Sequence, residues 1–353
     1  MRSKLVAAAL LAVALLGACS GDDPGDDTAA PRASATPPPP TCPISGVEPD
    51  SARFLDRPAV AVKVENHSAA YPLSGLDKAE VVYEELVEGG ITRFMAIYHC
   101  TDTKKAGPVR SARIVDPAIM TPITRILADA GGNDIVLEAL RKADIVSIDE
   151  NKAGKAMRRV YRPGYSSEHT LYASTPGIRD LGKKEYDEAP ADGTFEFGEP
   201  LDGGVNVRSV TMVFSGSTTV TYKWAGGKWH RSDDGVPLEM ESGVPIAVDN
   251  VIIEQHEVNF SKTIVDSAGN PSVDIADVTG TGKAVLFRDG QMYEGRWLRK
   301  TVESAVVYRT KDGETMALDP GTTWIELLPD SKGELKGSYT AERAGKGGGR
   351  KND

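Results

Sequence analysis

The closely spaced turn signals in the second half of this chain constrain its fold more than any other feature of the sequence. Gly226-Gly227, Asp289-Gly290 and Asp312-Gly313 each lie between two short runs rich in β-branched and aromatic residues. These dipeptides accommodate the positive φ angles of tight β-hairpin turns. We therefore predict that residues 191–331 form a mainly antiparallel, β-rich C-terminal domain.

The first half of the chain mixes two periodicities. Residues 59–64 form an apolar, strand-like run, whereas Asn133 is a capping residue followed by apolar residues at helical spacing as far as Lys142. A segment rich in charge, proline and glycine at residues 178–200 separates the halves, and a length of 353 residues also suggests two domains. The predicted fold class is α+β, with a mixed α/β N-terminal domain at residues 51–190 preceding the β-rich domain.

The N-terminus resembles the signal peptide of a bacterial lipoprotein. Arg2 and Lys4 precede an apolar run, Leu5–Leu16, that is shorter than the roughly 20 residues of a membrane-spanning helix. Small residues then lead to Cys19, as in a lipobox. We predict that residues 1–18 are removed and that a lipid on Cys19 holds the protein to the extracytoplasmic face of the cell membrane. Ordinary secretory cleavage near Ala18 is the alternative.

Two segments flanking the folded region have compositions unsuited to a core. Residues 19–50 contain several aspartates and the run Pro37–Pro40, and are predicted to form an extended, lipid-anchored stalk. Residues 332–353 end in glycine, lysine and arginine, and are predicted to form a disordered basic tail. This tail either contacts a wall polymer or lipid headgroups, or is simply solvated.

The charge and the motifs exclude several classes of function. The chain has 41 Lys and Arg against 51 Asp and Glu; without Arg2 and Lys4, the mature chain carries 39 against 51, a net charge of −12. Such a surface repels a phosphate backbone, so no nucleic-acid partner is expected. The sequence contains no Gly-x-Ser-x-Gly, His-Glu-x-x-His or Cys-x-x-Cys motif. No metal, cofactor or catalytic residue is therefore assigned.

Two loop histidines are candidate ligand-binding residues. Asn66 and His67 directly follow the first apolar strand, and His169 precedes the short run Leu171-Tyr172. Loops that leave strands commonly carry binding residues, and histidine titrates near neutral pH. Each of these side chains either binds a ligand or bonds the backbone in a turn.

A predicted hairpin places charged residues near one another. Gly89-Gly90 lies between two apolar-rich runs, which indicates a two-residue turn with Leu86 opposite Arg93. In that register Glu84 and Glu88 are diagonal neighbours of Arg93 on one sheet face. The group is either an acid–base site or a charge-compensated sheet face.

A further pair of arginines lies in the run Gly107-Pro108-Val109-Arg110-Ser111-Ala112-Arg113. If a helix starts there, Arg110 and Arg113 share one face and Ser111 caps it. Guanidinium groups bind phosphate and carboxylate in a bidentate manner. We expect an anion site, with internal salt bridges as the alternative.

The remaining two of the three cysteines are predicted to pair. With Cys19 carrying lipid, Cys42 and Cys100 are left in an oxidising compartment, where disulfides persist. A disulfide between them would tie the base of the stalk to the end of the hairpin.

Several of these segments together resemble the YerB-like family of bacterial lipoproteins, whose members carry an N-terminal and a C-terminal domain of unknown function. The resemblance rests on Asn66-His67, Ser74-Gly75-Leu76, Tyr83-Glu84, the run from Glu88 to Arg93, the Gly-Pro-Val-Arg-Ser-Ala-Arg segment, His169, Asp249–Ile252, Gly290–Trp297 and Pro320–Trp324. Thr170 and Asp129 depart from the family, which usually has Asn and often has His there. The resemblance implies a lipid-anchored extracytoplasmic protein and supplies no reaction.

Three functions follow from these patterns. The first is a non-enzymatic envelope lipoprotein whose N-terminal domain binds an anionic envelope polymer or envelope protein through Arg110, Arg113 and Arg93. The second is an envelope enzyme acting on phosphate esters or glycans, since the order of an arginine strand, an arginine turn and a Gly-Gly loop resembles the layout of LytR-CpsA-Psr phosphotransferases. The third is a scaffold for other envelope proteins.

Overall fold

The computed structural model describes residues 39–266 and 269–345. The predicted signal peptide and Cys19 lie outside these residues, as do most of the predicted stalk and the last eight residues of the tail. The predicted end of the stalk and the predicted start of the disordered tail both need correction. Cys42 and Ile44 are buried, so the end of the predicted stalk packs in the core. Ser338–Arg343 forms a strand in the predicted disordered tail, because Tyr339 and Ala341 alternate along it and pack against the core.

Twenty strands and four short α-helices make up the described chain. The strands of the first half are β1 (Val60–Asn66), β2 (Val81–Leu86), β3 (Thr92–Tyr98), β4 (Ile126–Ala128), β5 (Val146–Ile148), β6 (Met157–Arg159) and β7 (Leu171–Ala173). The strands of the second half are β8 (Val205–Ser215), β9 (Thr218–Ala225), β10 (Lys228–Asp233), β11 (Val236–Pro237), β12 (Ala247–Val248), β13 (Asn250–His256), β14 (Val258–Val265), β15 (Pro271–Ile275), β16 (Gly280–Arg288), β17 (Gln291–Arg299), β18 (Val307–Thr310), β19 (Thr323–Pro329) and β20 (Ser338–Arg343). The helices are α1 (Asp116–Met120), α2 (Asp134–Lys142), α3 (Glu150–Ala153) and α4 (Thr175–Gly182).

One mixed sheet of 16 strands contains most of these strands, in the order β11-β10-β9-β8-β17-β16-β13-β19-β2-β3-β1-β4-β5, with β12, β18 and β20 attached. The prediction of an α+β protein is wrong, because the described chain is mostly sheet and one mixed sheet runs through both halves. The four α-helices are only 5, 9, 4 and 8 residues long. Local periodicity could not show that β2 from the first half pairs in parallel with β19 from the second.

Strands β1, β2 and β3 are buried along their whole length. Their runs of valine, isoleucine and alanine suit strands covered on both faces. The same burial encloses Lys63, Glu84 and Glu85, which are at most 2% exposed. Buried charges need partners, and in this protein those partners come from distant segments.

The large sheet folds back on itself. Six strands separate β10 from β2 in the sheet order, yet a guanidinium nitrogen of Arg231 on β10 lies 2.7 Å from a carboxylate oxygen of Glu84 on β2. One face of β2, β3 and β19 is therefore covered by the β8–β10 region, and Arg231 lies in the core between the two layers. The α-helices lie elsewhere: α4 packs on β1 and β4, where Gly182 closely approaches Ile126.

Several local predictions are confirmed. Strands β9 and β10 turn at Gly226-Gly227, and β16 and β17 turn at Asp289-Gly290, with φ angles of 52° and 71° at the latter pair. Helix α2 begins after Asn133, whose side chain accepts a hydrogen bond from the amide of Ile135. Short-range turn and cap chemistry therefore predicts these elements correctly.

The Sγ atoms of Cys42 and Cys100 are 2.08 Å apart and form a disulfide. It ties the N-terminal end of the described chain to the residue that follows β3 by two positions. Within residues 39–266 and 269–345, no helix is both long and apolar enough to cross a membrane.

Candidate functional site

A cleft of about 690 Å³ opens beside one end of β3. It lies between the β2–β3 turn, the segment 110–113, the start of α2 and the adjoining ends of β14 and β15. Its lining brings together Glu88, Arg93, Arg110 and Arg113. Four of the predicted site residues therefore converge in one cleft.

Main-chain hydrogen bonds hold the arginine-bearing segment in place. The amide of Arg110 donates to the carbonyl of Lys63 on β1 (2.9 Å), and the amide of Val109 donates to the carbonyl of Leu171 on β7 (2.7 Å). The segment is thus an extended chain between two strands. The prediction that Arg110 and Arg113 lie on a helix capped by Ser111 is wrong, because these amides bond neighbouring strands instead of a helical turn. Helix α1 begins only at Asp116.

Arg93 is a buried cation without an acidic partner. Its side chain is 4% exposed, it donates one hydrogen bond to the carbonyl of Ser111 (3.0 Å), and its Nε has no hydrogen-bond partner. No carboxylate of residues 39–266 and 269–345 lies within ion-pair distance of it. Glu65 and Glu85 flank it in the sheet register but bond His169 and Lys63. Burial, together with the charges of Arg113 and Arg110, lowers the pKa of Arg93 to about 9.

The two other arginines of the cleft each have an acidic partner. Nε of Arg113 donates to a carboxylate oxygen of Glu88 at 3.0 Å, and the other oxygen of Glu88 accepts from the hydroxyl of Ser272 at 2.7 Å. Burial raises the pKa of Glu88, but the charge of Arg113 and the hydrogen bonds from Ser272 and Arg113 together outweigh burial and hold that pKa below its usual value. Nε of Arg110 lies 3.5 Å from Glu65, and the side chain stays one-quarter exposed.

The two predicted histidines lie next to the cleft and are linked to it through Glu65. Nδ1 of His169 is 2.8 Å from the carboxylate of Glu65, whose other oxygen faces Arg110. The ring of His67 stacks on that of His169, with 6.1 Å between centroids. His67 also accepts a hydrogen bond from the amide of Ala69, so it caps a turn, as one of its two predicted alternatives required.

Asn66 and Glu84 lie on the opposite face of the sheet from Arg93. The observed register pairs Glu85 with Arg93 and Leu86 with Thr92, one residue away from the predicted register. A one-residue slip moves every side chain to the other face, so the prediction that Glu84 shares a face with Arg93 is wrong. The cause is the connection, which contains a turn of 3₁₀ helix at Glu88–Gly90 instead of two turn residues. Asn66 and Glu84 bond each other at 3.2 Å within the core.

Lys63, Glu85 and Asp116 form a buried charged triad next to the cleft, which the sequence patterns did not predict. Nζ of Lys63 bonds Glu85 and, at 2.6 Å, Asp116, and a second oxygen of Asp116 accepts from the amide of Arg113. Burial raises the pKa of Glu85 to about 7, against the opposing charge of Lys63. A lysine in the middle of an otherwise apolar strand was the signal that could have revealed this triad. The triad supports the segment that carries Arg113.

A group of potential metal ligands lies away from the cleft. One group of described residues, Cys42, Glu80 and Cys100, brings potential metal-ligand atoms close together. Both sulfur atoms of that group are joined in the disulfide, so neither is available as a thiolate. The chemistry that the cleft does offer is the binding of an anion by guanidinium groups.

Two family models, a relative and a solved structure match this chain. Models for a "Protein of unknown function (DUF3048)" match this chain, the N-terminal domain at residues 44–188 and the C-terminal domain at residues 210–325. "Putative lipoprotein YerB" of Bacillus subtilis (strain 168) is 30% identical over 311 residues, which are 83% of this chain and 89% of the relative. The crystal structure of the YerB protein from Bacillus subtilis matches with a TM-score of 0.70 at 26% identity, covering 85% of this chain and 99% of that one. The likeness therefore spans both halves of the chain.

Proposed function

Because this chain belongs to the DUF3048 family of YerB-like proteins, one of which is named as a lipoprotein, we propose that it is a lipid-anchored protein on the extracytoplasmic face of the membrane that binds an anionic envelope ligand in the cleft of Arg93, Arg110 and Arg113. The likeness supports lipid anchoring to a membrane. Cys19 is the proposed attachment point, since it follows the short apolar run of the N-terminus.

The observation that carries the proposed binding function is the unpaired charge of Arg93. A buried ion without a partner is strongly unfavourable, yet the chain places Arg93 on the wall of an open cleft, between two further arginines. A phosphate or carboxylate in the cleft would accept hydrogen bonds from the guanidinium of Arg93 and from the exposed side of Arg110. On a mature chain with a net charge of −12, the lining of this cleft carries three arginines against two carboxylates, Glu88 and Asp266, and so has a formal charge of +1.

We expect Arg110→Ala to weaken binding of a small anion at least about tenfold, because a charge-assisted hydrogen bond contributes about 1.5–3 kcal/mol. Arg113→Ala should also weaken binding, because Glu88 then faces the cleft without its cation. Pyrophosphate and citrate are the probes, titrated calorimetrically into the full-length lipidated chain in phosphatidylcholine nanodiscs. Arg296→Ala is the matched control, since Arg296 is an exposed arginine of β17 that does not line the cleft. The proposal fails if neither probe binds the wild type, or if the cleft variants bind as the control does.

We also expect radiolabelled palmitate to enter the wild-type chain and to be absent from a Cys19→Ala variant. The adjacent substitution Ser20→Ala should retain the label, because it leaves the acceptor sulfur in place. Membrane fractionation of the same cells measures the consequence: the unlabelled variant should leave the membrane pellet. Label that persists without Cys19 would place the lipid elsewhere.

A further inference from the structure

We infer that the ligand of the arginine cleft is an amphiphile, in which a single anionic headgroup, a phosphate or a carboxylate, is attached to an apolar chain. This inference rests on the proposed anion-binding function and specifies its ligand class. It follows from the apolar part of the cleft, which the arginines leave unexplained.

The cleft is larger than its cationic part. Ligand pockets for whole organic molecules have volumes of roughly 300–1,000 Å³, and this one has about 690 Å³. A lone inorganic ion bonded to Arg93 and Arg110 would fill only a small part of that volume. The remainder of the ligand must therefore suit the other walls.

Asn133, Asp266 and Ser272 contribute polar atoms to those other walls, and three separate segments contribute apolar side chains. They are Ile91 after the β2–β3 turn, Val136 in the first turn of α2, and Ile264 and Val265 at the end of β14. Val136 and Ile264 are 2% and 6% exposed, whereas Val265 is 49% exposed. Successive strand residues point in opposite directions, so Ile264 and Val265 line the cleft together only because it continues around the end of β14.

The apolar wall is held next to the arginines by polar contacts. The side-chain amide of Asn133, the N-cap of α2, lies 3.4 Å from the carbonyl oxygen of Val265. Ser272 on β15 bonds Glu88, the partner of Arg113, at 2.7 Å. These contacts join β14 and β15, from the second half of the chain, to the arginine-bearing segments of the first half. One continuous cleft thus presents cations and apolar surface to the same ligand.

Burial of a ligand's apolar chain against this wall would raise its affinity. Each buried methylene strengthens binding by roughly fourfold. A ligand with an anionic headgroup alone leaves Val265 and Ile91 in water, whereas a headgroup with an attached alkyl chain covers them. A lipid-like anion meets both requirements of the cleft and would be present at the membrane to which the chain is proposed to be anchored.

Two headgroup-matched pairs of probes test the inference: methyl phosphate against hexyl phosphate, and acetate against hexanoate. Each is titrated calorimetrically into the full-length chain in phosphatidylcholine nanodiscs, with empty nanodiscs as the blank. We expect the six-carbon member of at least one pair to bind at least about tenfold more tightly than its one- or two-carbon partner, as burial of two methylenes predicts.

The substitution Val265→Ser should remove most of that difference and leave binding of methyl phosphate or acetate unchanged. Val236→Ser is the matched control, because Val236 is an exposed valine of β11 outside the cleft; it should change neither value. Equal affinities within both pairs, with binding still lost in Arg110→Ala, would overturn the inference and leave the anion site intact. A chain-length effect that survives Val265→Ser would also overturn it. If no probe binds, the inference and the proposed function fail together.

Discussion

Replacing Arg231 with alanine is expected to lower the free energy of unfolding by about 3–5 kcal/mol, the cost typical of removing one partner from a buried ion pair. Arg231 is fully buried between the two layers of the folded-back sheet. Its Nη1 is 2.7 Å from Glu84 and its Nη2 is 2.7 Å from Asp233. Glu326 lies 3.3 Å from the same guanidinium. Removal of the guanidinium leaves acidic groups from three strands enclosed without their cation.

The pKa values of these acids shift in different directions. Burial and the nearby charge of Glu84 raise the pKa of Glu326 well above its usual value. Burial raises the pKa of Glu84, but the charge of Arg231 and the hydrogen bonds that Glu84 accepts, from Arg231 and Thr92 among others, together outweigh burial and lower that pKa. Arg231 thus pairs with both Glu84 and Asp233, whereas burial and Glu84 oppose the ionisation of Glu326. The ring of Trp324 lies 4.9 Å from the guanidinium and further encloses it.

Unfolding of the wild type and of Arg231→Ala in guanidinium chloride measures the difference in their free energies of unfolding. Arg208→Ala is the control, because Arg208 pairs with Glu342 on the surface and its loss should leave the midpoint within the scatter of replicates. The double variant Arg231→Met with Glu84→Gln should recover part of the loss, since it removes one of the unpaired charges. This double variant also serves if the alanine variant does not accumulate. A wild-type-like midpoint for Arg231→Ala would contradict the assigned role of the network.

The second large effect concerns pH. His256 lies between Glu254 (3.0 Å from Nε2) and Asp277 (3.3 Å from Nδ1), with its ring stacked on Trp297. Burial by itself lowers the pKa of His256, but the hydrogen bonds and charges of Asp277 and Glu254 outweigh burial and raise it to about 9. Tyr308, which donates to Glu254, completes the cluster. The histidine is therefore protonated in the native state at neutral pH.

The direction of the pH dependence follows from that rise. A pKa of about 9 in the folded state and about 6.5 in the unfolded state means that the folded state binds the extra proton between those values. The stabilisation from His256 is complete below about pH 6.5 and is lost as the pH rises through about 9. A difference of about 2.5 units corresponds to a loss of about 3 kcal/mol in the free energy of unfolding.

Denaturant unfolding at pH 6, 7.5 and 10 measures this loss in the wild type. His256→Gln should unfold more easily at pH 6 and show a correspondingly flatter profile, because it cannot carry the proton. His230→Gln is the matched control, since His230 is exposed on β10, and its profile should parallel that of the wild type. Parallel profiles for wild type and His256→Gln would show that the histidine does not carry the charge assigned to it.

Features that depend on short-range interactions were predicted correctly from the sequence, whereas features that depend on long-range pairing were not. The tight turns at Gly226-Gly227 and Asp289-Gly290 and the cap at Asn133 depend on residues within a few positions, and the sequence predicted them correctly. The fold class was wrong, because the pairing of β2 with β19 joins segments far apart in the chain. The register at Gly89-Gly90 was wrong by one residue, because the connection includes a turn of 3₁₀ helix that the dipeptide does not specify.

The candidate site shows the same division. The sequence contained the arginines of the cleft as a recognisable group, since arginine on an acidic chain stands out by charge. It did not show that Glu84 points away from Arg93, that Lys63 bonds Glu85 and Asp116, or that Arg231 lies over Glu84.

The local sequence thus determined the turn positions, a helix cap and the family to which the chain belongs. It also identified the arginines as candidate site residues. Tertiary structure alone decided which sheet face each charge occupies, which charges are paired, and which apolar residues stand beside the arginines. The physical reason is that strand pairing alternates side chains between faces, so a shift of one residue exchanges core for cleft. Burial makes a charge without a partner unfavourable. The partner can come from anywhere in the chain, so local sequence spacing does not identify it.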